Sequence, residues 1–165
     1  MDMKSIMQKA FNEQMGKENE SAYIYLALSA QCEAMDLRGM AQWMRAQGDE
    51  ELKHAMKFYA HMADRNAKIT FEKIEKPKAV PNTPLDVFSA AYEHEKYITK
   101  CIHELVDLAN KHNDPEALSF LDWFVNEQIE EEKSTRDIVK KLEMAKGNAS
   151  ALLMLDKMLG ERKED

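Results

Sequence analysis

Glu51 and His54 lie three residues apart in the stretch GDEELKHAMKF, residues 48 to 58, inside a segment patterned as an amphipathic helix. At 100° per residue both fall on the face that also carries Met40, Met44, Gln47, Ala55, Phe58 and Met62. A carboxylate and an imidazole therefore interrupt an apolar stripe. Three other stripes carry the same kind of interruption. One aligns Met7, Phe11, Met15, Glu18, Ala22, Tyr25, Ser29 and Cys32. The second aligns Phe88, Ala91, Glu95, Thr99, Ile102, Val106 and Ala109, and the third Phe120, Phe124, Glu127, Gln128, Glu131, Thr135, Ile138 and Leu142.

A single acid in a stripe commonly snorkels to water. Four are harder to dismiss, because Glu18, Glu51, Glu95 and Glu131 all fall near the middles of their helices and packing brings them to one level. A buried, uncompensated carboxylate carries a penalty of several kcal/mol, and neighbouring ones repel, so the site requires protons or cations. No Lys or Arg stands in the stripes at that level. Two divalent ions would balance the four carboxylates, and oxygen ligands with one imidazole suit Fe(II) or Mn(II) better than metals that prefer thiolates. Glu51-x-x-His54 is the Glu-x-x-His device of dimetal carboxylate bundles.

The elements that must position these groups are helices. The 165 residues include twelve Met but only five Gly and four Pro, a composition for one all-α domain. Periodicity predicts helices over about 4–34, 38–66, 84–112 and 116–146, with a short fifth over about 149–160. The links MDLRG and HNDP are short and make antiparallel hairpins. The connection between the second and third helices, AKITFEKIEKPKAVPN at 67–82, could reach about 50 Å when extended, against about 42 Å for a 28-residue helix. It can run the length of the bundle and start the third helix at the same end as the second, a one-crossover topology. The fifth segment, ASALLMLDKMLG, is apolar around most of its circumference and is expected to bury itself at an oligomer axis, the alternative being a helix folded back on its own bundle.

The motifs KENESAYIYL, GDEELKHAMKF, YEHEKYI and FLDWFVNEQIEEEKS together resemble those of the ferritin family, specifically its haem-free bacterial and archaeal members, and the resemblance spans essentially residues 1 to 165. It implies a ferritin-like four-helix bundle in which Glu18, Glu51 and His54 hold a first iron, Glu51 bridges, and Glu95 with Glu131 holds a second, Gln128 nearby and Tyr25 beside the site. Ferroxidase activity with dioxygen or peroxide, and a ferric mineral inside a shell of twenty-four subunits, are further implications. So is a third iron site, whose motif positions are Glu50, Glu127 and Glu130, with Glu131 shared.

Departures separate subtypes. Where bacterioferritins and rubrerythrins would place a second Glu-x-x-His, Glu131 is followed by Ser134, so the second iron is expected to be held less tightly. The haem-ligating methionine of bacterioferritins would fall at Leu52, so no haem is expected. There is no Cys-x-x-Cys pair after the bundle as in rubrerythrins, and the end GERKED is not the basic tail of DNA-protecting mini-ferritins. The competing function is a dimetal oxidoreductase that scavenges peroxide without storing mineral. A net charge of −7 argues against a nucleic-acid partner. The start MDMKSIMQKAFNEQM has no apolar leader core and no apolar run is long enough to span a bilayer, so a cytoplasmic location without membrane association is expected. Cys32 and Cys101 read as core thiols, and His61, His94, His103 and His112 as packing or surface residues.

Overall fold

The computed structural model describes residues 2 to 78 and 82 to 162. Residues 79 to 81 of the crossover and 163 to 165 of the GERKED end lie outside the described residues. The helices are α1 (Ser5–Ala34), α2 (Arg38–Asp64), α3 (Pro84–Lys111), α4 (Pro115–Ala145) and α5 (Ala149–Leu159), and among the described residues there is no strand. None is long and apolar enough to cross a membrane.

Helix ends follow local chemistry. Thr83 and Asp114 accept from the N–H groups of Asp86 and Ala117, with Pro84 and Pro115 just inside the first turns. The ends of α1, α2 and α3 share one device. Asp36, Asn66 and Asn113 take φ of 59°, 53° and 50°, and the next residue's N–H returns to the carbonyl five positions earlier. These are Schellman caps with Asp or Asn in the left-handed position usually held by glycine. Gly147, at φ 78°, takes that conformation after α4.

The crossover runs alongside α1. The N–H of Lys68 donates to Gln8, the N–H of Thr70 donates to Asn12, and the Asn12 amide donates back to the Lys68 carbonyl. Farther along, Glu72 packs against Gly16, and Asn82 accepts from Gln31 at 2.9 Å. Between Lys68 and Glu72 each pair of extended residues passes four helical ones, about 6.6 Å against about 6 Å, so the two stay in register. The segment thus delivers α3 to the end where α2 begins, and α3 lies antiparallel to α1, with Lys17 beside Cys101 and Ser21 beside His94.

One expectation needs correction. The buried face of α3 is wider than the stripe read from periodicity: Val87, Ile98, Cys101 and Leu105 are buried, while Thr99 and Val106 are only partly so. The helix packs against both α1 and α4, which need more than one stripe. α5 lays one face on its own bundle. Leu155 and Leu159 join the core, worth about 1.5–3 kcal/mol each, and Asp156 Oδ1 accepts from the Met40 N–H at 2.8 Å, supplying from a distance the cap that α2 lacks locally. Gly39 permits this approach, since a Cβ there would fall 1.8 Å from the Asp156 carbonyl oxygen. The opposite face of α5, Leu153, Met154 and Met158, is exposed, as is nearby Met144.

Candidate metal centre

The apolar core is two clusters rather than one. The first gathers Tyr25, Leu28, Met40, Met44, Phe88 and Ile138 with their neighbours, and the second Met7, Phe11, Met15, Phe58, Ile102 and Phe124 with theirs. Between them lies a polar layer from four helices: Glu18 on α1, Gln47, Glu51 and His54 on α2, Glu95 on α3, and Gln128 and Glu131 on α4. All seven are buried, none more than 5% exposed. Helical periodicity continues unbroken through the layer, so the apolar clusters on either side fix the rotation that turns these groups inward.

Glu18, Glu51 and His54 offer ligand atoms that all lie within 4.8 Å of one another, as do His54, Glu127 and Glu131. The imidazole joins the two groups: Nδ1 is 3.4 Å from Glu51 Oε2, and Nε2 is 3.9 Å from Glu127 Oε1. Its ring meets Trp123 and Phe124 edge-on, at centroid distances of 5.4 and 5.9 Å. Glu18 Oε1 accepts from the Gln14 amide at 2.8 Å, whereas its Oε2, buried, has no hydrogen-bond partner among the described residues. Such an orphaned acceptor facing a second carboxylate is costly unless a proton or cation meets it.

The other half of the layer is held by donors. The Tyr25 hydroxyl donates to Glu95 Oε1, and the Gln128 amide donates to Glu95 Oε2 at 3.2 Å. The Gln47 amide donates to Glu131 Oε2 at 2.6 Å and reaches Glu51 Oε1 at 3.4 Å. Burial, and then the charge of Glu51, push the Glu18 carboxyl well above its usual range. Burial followed by Glu95 does the same to Glu51. Glu131 is pushed to about 9 by burial, then by Glu95 and Glu51. Glu95 is raised chiefly by burial, with the bonds from Tyr25 and Gln128 opposing. Burial and the Glu95 charge raise the Tyr25 phenol well above its usual value, so it stays a donor. Burial thus favours the protonated forms of these carboxyls, and a divalent ion bound among them would displace protons.

The third group is only partly assembled. Glu127 is half-buried beside His54, and burial raises its carboxyl, but Glu130 is exposed and Glu50 is engaged elsewhere. Arg162, beyond α5, donates to Glu50 Oε2 at 2.6 Å and to Gln47 Oε1 at 2.9 Å, with its guanidinium 4.6 Å from the centre of the Trp43 ring. The stripes indeed hold no cation at this level, but a residue 112 positions from Glu50 brings one to their edge. Helical spacing carries no signal for such a contact. Leu52 is 47% exposed in a groove of about 530 Å³ with Tyr23, Leu26 and Ile74. His61 stacks on Phe120 at 4.2 Å and His94 bonds Ser21 at 2.7 Å, both in packing roles.

A bundle with one crossover and a buried layer of four glutamates and a histidine defines a ferritin-like protein, and comparison with known proteins agrees. Residues 8–145 match the family model described as Ferritin-like domain. Relatives named bacterial non-heme ferritin include one from Campylobacter jejuni, 34% identical over 92% of this chain and 90% of the relative, and one from Bacteroides fragilis, 36% identical over 94% and 97%. Among solved structures, a closed form of the Archaeoglobus fulgidus ferritin engineered by mutagenesis superposes with a TM-score of 0.98 at 40% identity, covering 99% of this chain and all of that one. The open-pore ferritin of the same archaeon superposes with a TM-score of 0.96 at 40% identity, covering 98% and 100%. The chain belongs to the ferritin family.

Proposed function

We propose that this chain is an iron-storage ferritin that oxidises Fe(II) at a paired site inside its bundle and passes Fe(III) to a mineral held within a shell of like subunits. The observation that carries the reading is the orphaned Glu18 Oε2 facing Glu51 and His54 in a layer of four buried glutamates. In this reading Glu18, Glu51 and His54 bind one Fe(II), Glu51 also touches the second, and Glu95 and Glu131 complete the second with Gln128 close by. Each Fe(II) gives up one electron, so a pair matches the two-electron reduction of dioxygen to peroxide or of peroxide to water.

The chain's own groups do the rest. Protons that burial favours on the raised carboxyls are released as the ions bind, and they are available to the reduced oxygen. Tyr25, kept protonated, donates to Glu95 and holds it for the second ion. The two apolar clusters keep bulk water from the pair. One ion has an imidazole and the other only oxygen donors, Ser134 standing where a second histidine would be, so the second ion is the one that leaves for storage. Glu127, with Glu131 and His54, supports a third binding position on the way out.

The shell reading rests on family membership and on exposed apolar surface: Tyr23, Leu26, Leu52, Tyr59, Phe71 and Ile74 on α1, α2 and the crossover, and Met144, Leu153 and Met154 near α5. A shell of twenty-four copies is proposed. Aerobic loading, followed by separation of protein-bound from precipitated iron, tests storage. Retention of on the order of hundreds of iron atoms per assembly in the protein fraction is expected, whereas saturation at about two or three per chain would leave only a dimetal site of the kind bundles commonly hold.

A further inference from the structure

Gln47 stands at the edge of the layer, and Arg162, beyond α5, bonds to it from outside. Arg162 spends its guanidinium on three partners at once: Glu50 Oε2 at 2.6 Å, Gln47 Oε1 at 2.9 Å and the Trp43 carbonyl at 3.4 Å, while its central carbon lies over the Trp43 ring. Its backbone is anchored just upstream, where Asp156 caps α2 and Gly160 packs on Gly39. Arg162 and Glu50 side chains are each 21% exposed, enough burial for the pair to resist screening and enough exposure for it to open.

Two consequences follow from donor and acceptor chemistry. Because Arg162 occupies Gln47 Oε1, the Gln47 amide can present only its N–H₂ to Glu131 and Glu51. Without the guanidinium the amide could turn its oxygen inward and offer a ligand rather than a donor. Secondly, Glu50 is neutralised by a protein cation although its charge lies close enough to be felt by Glu127 and Glu131, which with His54 form a group that could hold a divalent ion. A divalent ion and a guanidinium beside the same carboxylate repel each other, so occupancy by one disfavours the other.

We propose that Arg162 is a positioning residue and latch: it holds Glu50 and fixes the Gln47 amide while the third position is metal-free, and it releases Glu50 when a divalent ion binds beside His54, Glu127 and Glu131. This rests on the metal-binding reading above. The C-terminal segment then reports on loading, ordered against α2 before the third ion and loosened after it.

The test uses the assembled protein, stripped of metal, and Zn(II) as a redox-silent probe, with calorimetry for affinity and hydrogen exchange on the C-terminal peptide for order. In the wild type, zinc beyond the first two equivalents is expected to speed exchange at Glu161 and Arg162, whose N–H groups bond Met158 and Leu159. Arg162→Ala is expected to bind that later zinc about tenfold more tightly, the size of one lost competing charged hydrogen bond, with the first two equivalents still bound in the same number. Arg162→Lys, which keeps the charge but not the fork that spans Gln47 and Glu50, is expected to fall between. Equal or weaker later binding in Arg162→Ala, with exchange unaffected by zinc in the wild type, would overturn the latch and leave the metal centre standing. Absence of any zinc binding in either protein would overturn both.

Discussion

His54 stands between two carboxylates on different helices, Nδ1 3.4 Å from Glu51 Oε2 and Nε2 3.9 Å from Glu127 Oε1. One ring therefore links the buried Glu18–Glu51 group to the partly exposed group beside it. An imidazole used by a metal on one edge is oriented by whatever holds the other. His54→Ala is expected to weaken the first ion and the later one together, whereas loss of Glu127 alone touches only the later one. Zn(II) calorimetry on the two variants distinguishes these outcomes.

Glu51→Ala removes the proposed bridge along with an acid that repels its neighbours. Rapid Fe(II) oxidation in stopped-flow absorbance should fall by at least the roughly 10–100-fold lost when mere outer partners of metal ligands are removed. The fold should persist, because the variant sheds an uncompensated buried acid, and the metal-free protein should melt no lower than wild type.

Stability of the metal-free protein should depend on pH with an unusual sign. The Glu131 carboxyl sits at about 9 in the folded protein against an ordinary value of 4.5, and Glu18 and Glu51 are raised as well. Between those limits the folded chain binds more protons than the unfolded one, so stability is greatest below about pH 4.5 as far as these groups are concerned and declines toward pH 9. Melting temperature measured across that window without metal should drop as pH rises. Glu131→Gln should flatten the decline, and saturating Zn(II) should remove it.

Tyr25→Phe takes away the hydroxyl that donates to Glu95 while leaving the ring in the core. Glu95 is then expected to bind its ion several-fold more weakly, with the Glu18–Glu51–His54 side little changed, so that the gap between the two anaerobic Fe(II) affinities widens in a titration. Unchanged affinities would mean that the hydroxyl only fills space.

Glu130→Ala should be nearly silent toward Zn(II), because Glu130 is exposed and is not gathered with His54, Glu127 and Glu131. Glu127→Ala should weaken the later zinc clearly. This ordering separates two neighbours that look equivalent in the run NEQIEEE.

Much of this molecule is legible from local pattern. The four interrupted stripes are periodic, so Glu18, Glu51, Glu95 and Glu131 could be placed on inward faces, and the length of the 67–82 connection led to the crossover that brings α3 alongside. What could not be read depends on contacts with no period. Asp156 caps α2 across 116 positions, Arg162 reaches Glu50 across 112, and neither residue type stands out in its own segment. The inward reach of α5 follows from Gly39, whose lack of a side chain matters only once the two helices touch. The motif positions Glu50 and Glu130 mark chemistry that side-chain geometry has given to other partners or left in solvent.

The central claim, a paired iron site that oxidises its own substrate, is tested most directly by anaerobic Fe(II) titration of the metal-free protein followed by admission of oxygen, with Glu51→Ala alongside. About two Fe(II) per chain should bind and turn over in one rapid phase in the wild type, and that phase should be lost in the variant. Binding of fewer than one Fe(II) per chain, or an equally fast phase in Glu51→Ala, would contradict the account.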